Sequence, residues 1–195
     1  MLRRSGKRRL HILSSDGAEL QPIAGEIDAQ GTASWSPDGR WITTGGSDAN
    51  GPGLFKVPLE GGLPVRLVAG PALNPVWSPD GSLIVYAGRN VSTFAPLLGV
   101  HPDGTSVELP QIKVRRLGER VRFLPDGKSL IYMQGLLASQ DFWLLDLASM
   151  KSRPLTRLQN RATMRTFDVT SDGKEIVFDR LRENSIVVLI DLPRE

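Results

Sequence analysis

Residues 75–87 read PVWSPDGSLIVYA, and this stretch recurs three more times along the chain without gaps. The other copies are ASWSPDGRWITTG at 33–45, VRFLPDGKSLIYM at 121–133 and FDVTSDGKEIVFD at 167–179. Their aspartates are spaced by 42, 46 and 46 residues. Because four copies keep the motif and its flanks at a nearly constant period, the sequence predicts a repeat protein.

The centre of each copy has the chemistry of a tight β-hairpin turn. Proline presets φ at the first turn position, aspartate bonds its own backbone, and glycine takes the left-handed conformation. We expect these pairs to be structural and not calcium sites, because each turn brings only one carboxylate. The turn residues are Asp38, Gly39, Asp80, Gly81, Asp126, Gly127, Asp172 and Gly173.

Apolar residues flank each turn on both sides. Strands that are apolar on both faces are covered from both sides, as in sheets stacked against neighbouring sheets. Aromatic residues at recurring positions of the repeat are predicted to lie in the core between sheets. These residues are Trp35, Trp77, Phe123 and Phe178.

A second apolar hairpin follows each of the first three copies, at 54–67, 97–109 and 142–156. Four strands in roughly 40–45 residues is the size of a propeller blade. The sequence therefore predicts an all-β fold, a β-propeller segment of about four blades with four antiparallel strands each. A sandwich or solenoid of repeated hairpins is the alternative.

The repeat sets the expected boundaries within the chain. A basic tail at 1–9 precedes propeller repeats at 10–195, which divide into a half blade at 10–24, blades at 25–68, 69–109 and 110–156, and a final blade at 157–192. With strands lettered A to D, the half blade matches C and D, and the final blade supplies A, B and C. Closure would displace one C strand, at 10–14 or 186–191. We therefore expect an incomplete or open ring, the last part of a longer propeller.

The SPDG turn followed by aliphatic residues resembles the WD-like repeat of the TolB-like propeller family of bacteria. The resemblance runs from about Leu10 to Leu192. It implies the propeller fold, which typically has six blades in this family. It implies little about function, because the repeated residues build turns and core.

Composition and charge narrow the function classes. The net charge of +3 is smaller than the charge of the tail, which contains five cations, so no strong nucleic-acid signal comes from the rest of the chain. There is no Cys, which excludes disulfides and thiolate metal sites. No apolar run approaches the ~20 residues of a membrane span, and no apolar signal core follows the tail. The compartment stays open: the cytoplasm is the default, and an extracytoplasmic sensor is compatible.

Patterns of catalytic residues are missing from the sequence. The histidines, His11 and His101, lie at different repeat positions without carboxylates at ligand spacing. The sequence has no nucleophile elbow and no Walker or dinucleotide fingerprint, and the glycine-rich stretch at 45–53 joins two strands. We therefore expect no enzymatic activity, no cofactor and no metal. A lactonase-like hydrolase remains an alternative: Asn74 and Asp168 could serve as ligands on A strands, but Ser34 and Arg122 occupy the equivalent region elsewhere.

One cluster of cations does not follow the repeat. Its members fall in two successive D-to-A connections and strand A starts, which should share one face near the central channel. Clustered like charges there could attract an anionic ligand or an acidic partner, with a solvated loop face as the alternative. The patch comprises Lys113, Arg115, Arg116, Arg120, Arg122, Arg161 and Arg165.

These features favour a non-catalytic propeller scaffold that recognises a protein or small ligand. The stretch at 178–193 resembles the ends of propeller sensor regions fused to bacterial kinases or winged-helix regulators, which implies the sensor part of a larger signalling protein. Further blades of a longer chain or self-association could complete the ring. A propeller that gates a prolyl-oligopeptidase-like peptidase is the other alternative, disfavoured because no hydrolase domain follows the last strand.

Overall fold

The computed structural model of the chain describes residues 6–115, 121–136, 139–158 and 163–181. These residues form 17 β-strands and no α-helix. The first two, β1 (Leu10–Leu13) and β2 (Leu20–Ile23), form an antiparallel hairpin. The described residues include no helix that could cross a membrane.

Three antiparallel sheets follow one another along the chain. The first sheet contains β3 (Asp28–Trp35), β4 (Trp41–Asp48), β5 (Gly51–Pro58) and β6 (Val65–Ala69). The second contains β7 (Leu73–Trp77), β8 (Ile84–Ala87), β9 (Phe94–Val100), β10 (Ser106–Val107) and β11 (Lys113–Arg115). The third contains β12 (Val121–Phe123), β13 (Ser129–Leu136), β14 (Ser139–Asp146) and β15 (Lys151–Pro154). A last hairpin joins β16 (Phe167–Val169) and β17 (Ile176–Phe178).

The repeated Asp–Gly pairs sit in the turns between the first two strands of each sheet. In the second sheet, Asp80 accepts a hydrogen bond from the backbone N–H of Ser82 at 3.1 Å and one from the Ser78 hydroxyl at 2.6 Å. Gly81 has φ +74°, and its N–H donates to the Ser78 carbonyl at 2.9 Å. The other three turns repeat the bond from the backbone N–H two residues after the aspartate and the left-handed glycine.

Adjacent sheets meet through their first strands, which we call inner strands: β3 contacts β7, and β7 contacts β12. The approach is close at Gly45 of β4, where a Cβ would lie 1.9 Å from the carbonyl oxygen of Ala72. Trp77 is buried against the first sheet, and its indole N–H donates to the Thr43 hydroxyl at 2.9 Å. Phe123 is likewise buried in a cluster with Leu83 of the second sheet.

Trp35 does not share this environment. Its side chain is 54% exposed, so the prediction that it lies in the core between sheets is wrong. Residues at this position pack on the sheet before them, as Trp77 and Phe123 do. Ahead of β3, the described residues supply only the hairpin of β1 and β2. The inner strand that would cover the indole is therefore lacking there.

The second sheet extends further along the chain than the boundary at 109 implies. β11 pairs with β9 through Lys113↔Pro96, Val114↔Ala95 and Arg115↔Phe94, while β10 pairs with the other end of β9. The outer strand of this sheet is thus divided in two. The pairing places 113–115 in the second sheet and not in the blade predicted at 110–156. The predicted strand at 186–191 lies outside the described residues.

Candidate functional site

A cleft of about 210 Å³ opens where β7 and β12 begin, beside the second half of β3, and we call it the inner-strand cleft. Residues 32–34 of β3, 74–76 of β7 and 121–122 of β12 line it. β8 and β11 both end on this side of the second sheet. Ala87 at the end of β8 pairs with Leu73, and Arg115 at the end of β11 pairs with Phe94. The remaining lining residues come from there: Ala87, Leu97, Val114 and Arg115.

Backbone irregularities shape the wall formed by β3 and β7. Both strands shift register against their partners near the cleft, between Gln30 and Ala33 and between Leu73 and Val76. Asn74 has φ +51°, a left-handed conformation that asparagine tolerates better than most residues. Its Oδ1 accepts the backbone N–H of Thr32 at 3.0 Å. This bond fixes β7 against β3 at the mouth of the cleft.

The bulge that receives Asn74 favours glycine at position 31. Gly31 has φ +77°, and a Cβ there would lie 2.5 Å from Asn74 Oδ1. The bulge therefore depends on Gly31 for its left-handed backbone conformation and on Asn74 for its side-chain carbonyl oxygen. Bulges of this kind recur beside functional sites because they redirect side chains.

Arg115 is half-buried at the end of β11 and lines the cleft. Its Nε is buried, and no described residue supplies a hydrogen-bond partner for it. A buried guanidinium nitrogen without an acceptor is costly, because it has lost its water without gaining a protein partner. Arg115 therefore brings to the cleft wall a cation with one donor that no described residue uses.

Arg122 of β12 lies between the inner-strand cleft and a groove beside β16. Its Nε donates to Asp168 Oδ1 at 3.2 Å, and its Nη1 donates to the Val121 carbonyl at 3.0 Å. The Arg122 side chain is 22% exposed and that of Asp168 is 75% exposed. The ion pair therefore holds a partly buried cation in place with a largely solvated carboxylate.

The predicted cationic patch is only partly assembled among the described residues. Arg115 and Arg122 meet at the cleft, whereas Lys113 is exposed on β11 outside it. Arg165 is exposed beyond the cleft, and its N–H donates to Asp179 at 2.8 Å. The other three predicted members lie outside the described residues: Arg116, Arg120 and Arg161.

A larger cleft of about 400 Å³ lies at the opposite edge, between the turns of the first two sheets. Its cation is already satisfied: Lys56 Nζ lies 4.4 Å from the centre of the Trp41 ring and donates to the Pro102 carbonyl at 2.7 Å. Asp38 and Asp80 there are engaged by their own turns. The inner-strand cleft is the stronger candidate, because Arg115 at that cleft has a buried donor for which no described residue supplies an acceptor.

Groups that hold metals are not assembled in the described part of the chain, where no three His, Asp or Glu side chains come together. His101 lies in the turn before β10, where its Nδ1–H donates to the Ser82 carbonyl at 2.7 Å. Asn74 and Asp168, considered above as possible hydrolase ligands, contact Thr32 and Arg122 respectively.

Solved structures with the same arrangement of sheets establish the fold. TolB from Acinetobacter baumannii matches 87% of this chain at 19% identity, with a TM-score of 0.70. The chain has a TolB-like β-propeller fold. The predicted all-β propeller segment is thereby confirmed, and it spans 42% of the length of that TolB chain. No protein-family model and no curated protein sequence matches the chain.

Two further propellers of similar structure have different functions. An oligogalacturonate lyase from Vibrio parahaemolyticus matches 89% of this chain and 53% of its own, with a TM-score of 0.64 at 15% identity. A propeller from a nidogen–laminin complex matches 90% of this chain and 67% of its own, with a TM-score of 0.67 at 11% identity. Since one fold serves an enzyme and a protein complex, function has to be argued from the site.

Sequence reasoning found the two arginines and Asn74 but not the rest of the cleft. The apolar wall combines Val76, Leu97 and Val114, which lie on three strands of the second sheet, with Val121 of the third. In the sequence, these residues look like ordinary core positions. Only the pairing of β11 with β9 brings Arg115 to the same edge as the start of β7.

Proposed function

We propose that this chain is a non-catalytic recognition propeller that binds a protein or small ligand in the inner-strand cleft. The observation that carries the proposal is the guanidinium of Arg115, whose Nε is buried without a partner among the described residues, at a cleft lined by three successive sheets. Rigid strands hold the walls, so a ligand would be met by a largely preformed surface.

The chemistry of the lining supports binding over catalysis. The polar side chains at the cleft are arginine, asparagine, threonine and serine. Arginine keeps its proton at all ordinary pH values, and the amide and hydroxyl groups donate and accept hydrogen bonds without titrating near neutrality. Such groups orient and hold a ligand, whereas general acid–base catalysis needs a side chain with a pKa near the working pH.

We place this module in a larger bacterial signalling protein, as its sensing or interaction part. The support is the resemblance of its final stretch to propeller sensor regions and the partial coverage of TolB by the chain. In that setting, occupancy of the cleft would be the signal. The neighbouring sheets would transmit it through the contacts between inner strands.

The test is a binding screen mapped onto the structure by backbone amide NMR. Mixed small molecules and short peptides, charged and uncharged, are titrated into the ¹⁵N-labelled chain. We expect specific binders to shift the amides of Thr32, Asn74 and Val76, and to leave those of Asp38 and Lys56 in the other cleft unchanged. Binders that consistently map to the other cleft, or turnover of a bound compound, would refute the proposal.

A further inference from the structure

We infer that the inner-strand cleft binds the carboxylate of a small amphipathic acid, with Arg115 as the anchoring residue. This inference rests on the proposed function and adds the chemical class of the ligand. It starts from the charge of the lining. Arg115 and Arg122 both line the cleft, and none of the described residues lining it is acidic. A cleft with cations and low-dielectric walls concentrates anions.

The anchoring group is the guanidinium of Arg115, which lines the cleft. Its Nε is buried without a hydrogen-bond partner among the described residues, so an anion held by the guanidinium places negative charge next to a donor whose desolvation is uncompensated. A carboxylate matches the guanidinium fork, because its two oxygens accept two parallel N–H bonds in one plane. Arg122, held by Asp168, adds positive charge from the third sheet.

The rest of the lining selects what the carboxylate is attached to. Val76, Leu97, Val114 and Val121 present aliphatic groups to the cleft. Apolar walls favour a hydrocarbon tail and disfavour a fully hydrated dianion such as phosphate. The volume of about 210 Å³ lies below the roughly 300–1,000 Å³ of pockets for drug-sized ligands, so the tail is short.

The experiment follows the side-chain Nε–Hε signal of Arg115 by NMR, assigned by its loss in Arg115→Gln. The probes are sodium hexanoate, acetate, hexanol and inorganic phosphate. We expect hexanoate to shift the signal saturably, and acetate to bind at least about tenfold more weakly, because it lacks the apolar tail. Hexanol and phosphate are expected to leave the signal unchanged.

Matched variants separate the anchor from general charge. Binding to the variants, which lack the Arg115 Nε–Hε signal, is followed by the backbone amide signals of Thr32, Asn74 and Val76. We expect Arg115→Gln to weaken hexanoate binding about tenfold or more, and Arg115→Lys to weaken it as well, because lysine keeps the charge but lacks the planar fork. Arg153→Gln, on the exposed strand β15, is the control and should bind like the wild type. The lysine variant and the wild-type titrations remain informative if the glutamine variant does not fold.

Each contrary outcome identifies what has failed. Hexanol binding as tightly as hexanoate, phosphate binding more tightly than hexanoate, or Arg115→Gln binding like the wild type would each overturn the carboxylate inference. If uncharged compounds from the screen still map to Thr32 and Asn74, the proposed function stands without it. If no compound maps to the cleft, both are refuted.

Discussion

Three of the four repeats place a hydroxyl side chain two residues before the turn aspartate: Ser36, Ser78 and Thr170. The hydroxyl donates to the carboxylate and accepts the backbone N–H five residues later, at the start of the next strand or one residue before it. Leu124 stands at this position in the remaining repeat, where Asp126 accepts the backbone N–H of Lys128 without a hydroxyl two residues before it. A single hydroxyl thus joins the turn to the strand after it.

Replacing Ser78 tests this link. In Ser78→Ala, the buried N–H of Leu83 loses its acceptor, and we expect a loss of about 1–3 kcal/mol in the free energy of unfolding. Urea denaturation measures it, with Ser106→Ala at an exposed position as the control. Equal midpoints for the two variants would show that the hydroxyl contributes nothing.

The same bonds predict how stability depends on pH. The Ser78 hydroxyl, followed by the Ser82 backbone N–H, lowers the pKa of Asp80 below its ordinary value. Because the folded pKa lies below the unfolded value of about 3.9, the contribution to stability is present above that pH and is lost as pH falls through the folded pKa. Similar bonds lower the pKa of three further turn carboxylates, those of Asp16, Asp38 and Asp172.

Asp80→Asn isolates this contribution. We expect the variant to be less stable than the wild type at neutral pH, and the gap to close as the solution is acidified through the folded pKa of Asp80. Urea midpoints measured across the acid range would show it. A gap that stays constant down to the most acidic condition would contradict an ionic role for this carboxylate.

Among the elements, β4 shows how two sheets are brought into contact. It is buried along most of its length, and Gly45 allows the connection between β6 and β7 to approach closer than any side chain would permit. On the same strand, Thr43 satisfies the indole N–H of Trp77 from β7. The strand therefore combines close backbone packing with one specific polar bond across the interface.

Thr43→Val removes the bond while keeping the shape of the side chain. We expect a loss of about 1–3 kcal/mol in the free energy of unfolding, because the buried indole N–H loses its acceptor. A double-mutant cycle with Trp77→Phe provides the check, since Thr43→Val should cost much less once the indole is gone. Additive effects in the cycle would mean that the bond does not couple the sheets.

On the scale of the whole molecule, apolar side chains are exposed on the first and last hairpins. Leu20 on β2 is 64% exposed and Val177 on β17 is 65% exposed. In the interior of the chain, the equivalent surfaces are covered by adjacent sheets. Trp35 is another large apolar side chain that is exposed to solvent.

These surfaces predict that the isolated chain self-associates as its concentration rises. We expect the double substitution Leu20→Lys with Val177→Lys to reduce self-association measured by sedimentation velocity. Leu63→Lys is the matched control, because Leu63 is 83% exposed but lies between β5 and β6, away from both hairpins. If the double variant and the control associate alike, the end hairpins are not the contact.

A feature of this protein could be predicted from the sequence when the interactions that produce it lie within a few residues. The turns could be predicted because proline, aspartate and glycine act within four residues, as at Asp80 and Gly81. The exposure of Trp35 could not, because it depends on what covers β3 and not on its place in the repeat. The cleft could be predicted only in part. Its arginines lie close together in the sequence, but the other residues that line it come from distant strands.

The sequence by itself determined the blade, because its period of 42 to 46 residues, its turns and its alternation of strands are properties of neighbouring residues. Tertiary structure alone decided which residues meet at the inner-strand cleft. The pairing of β11 with β9 brings Arg115 to the inner-strand cleft, and stacking of the sheets adds Arg122 and Asn74. The physical reason is that a repeat specifies each sheet locally, whereas a site between sheets depends on long-range packing that no single repeat encodes.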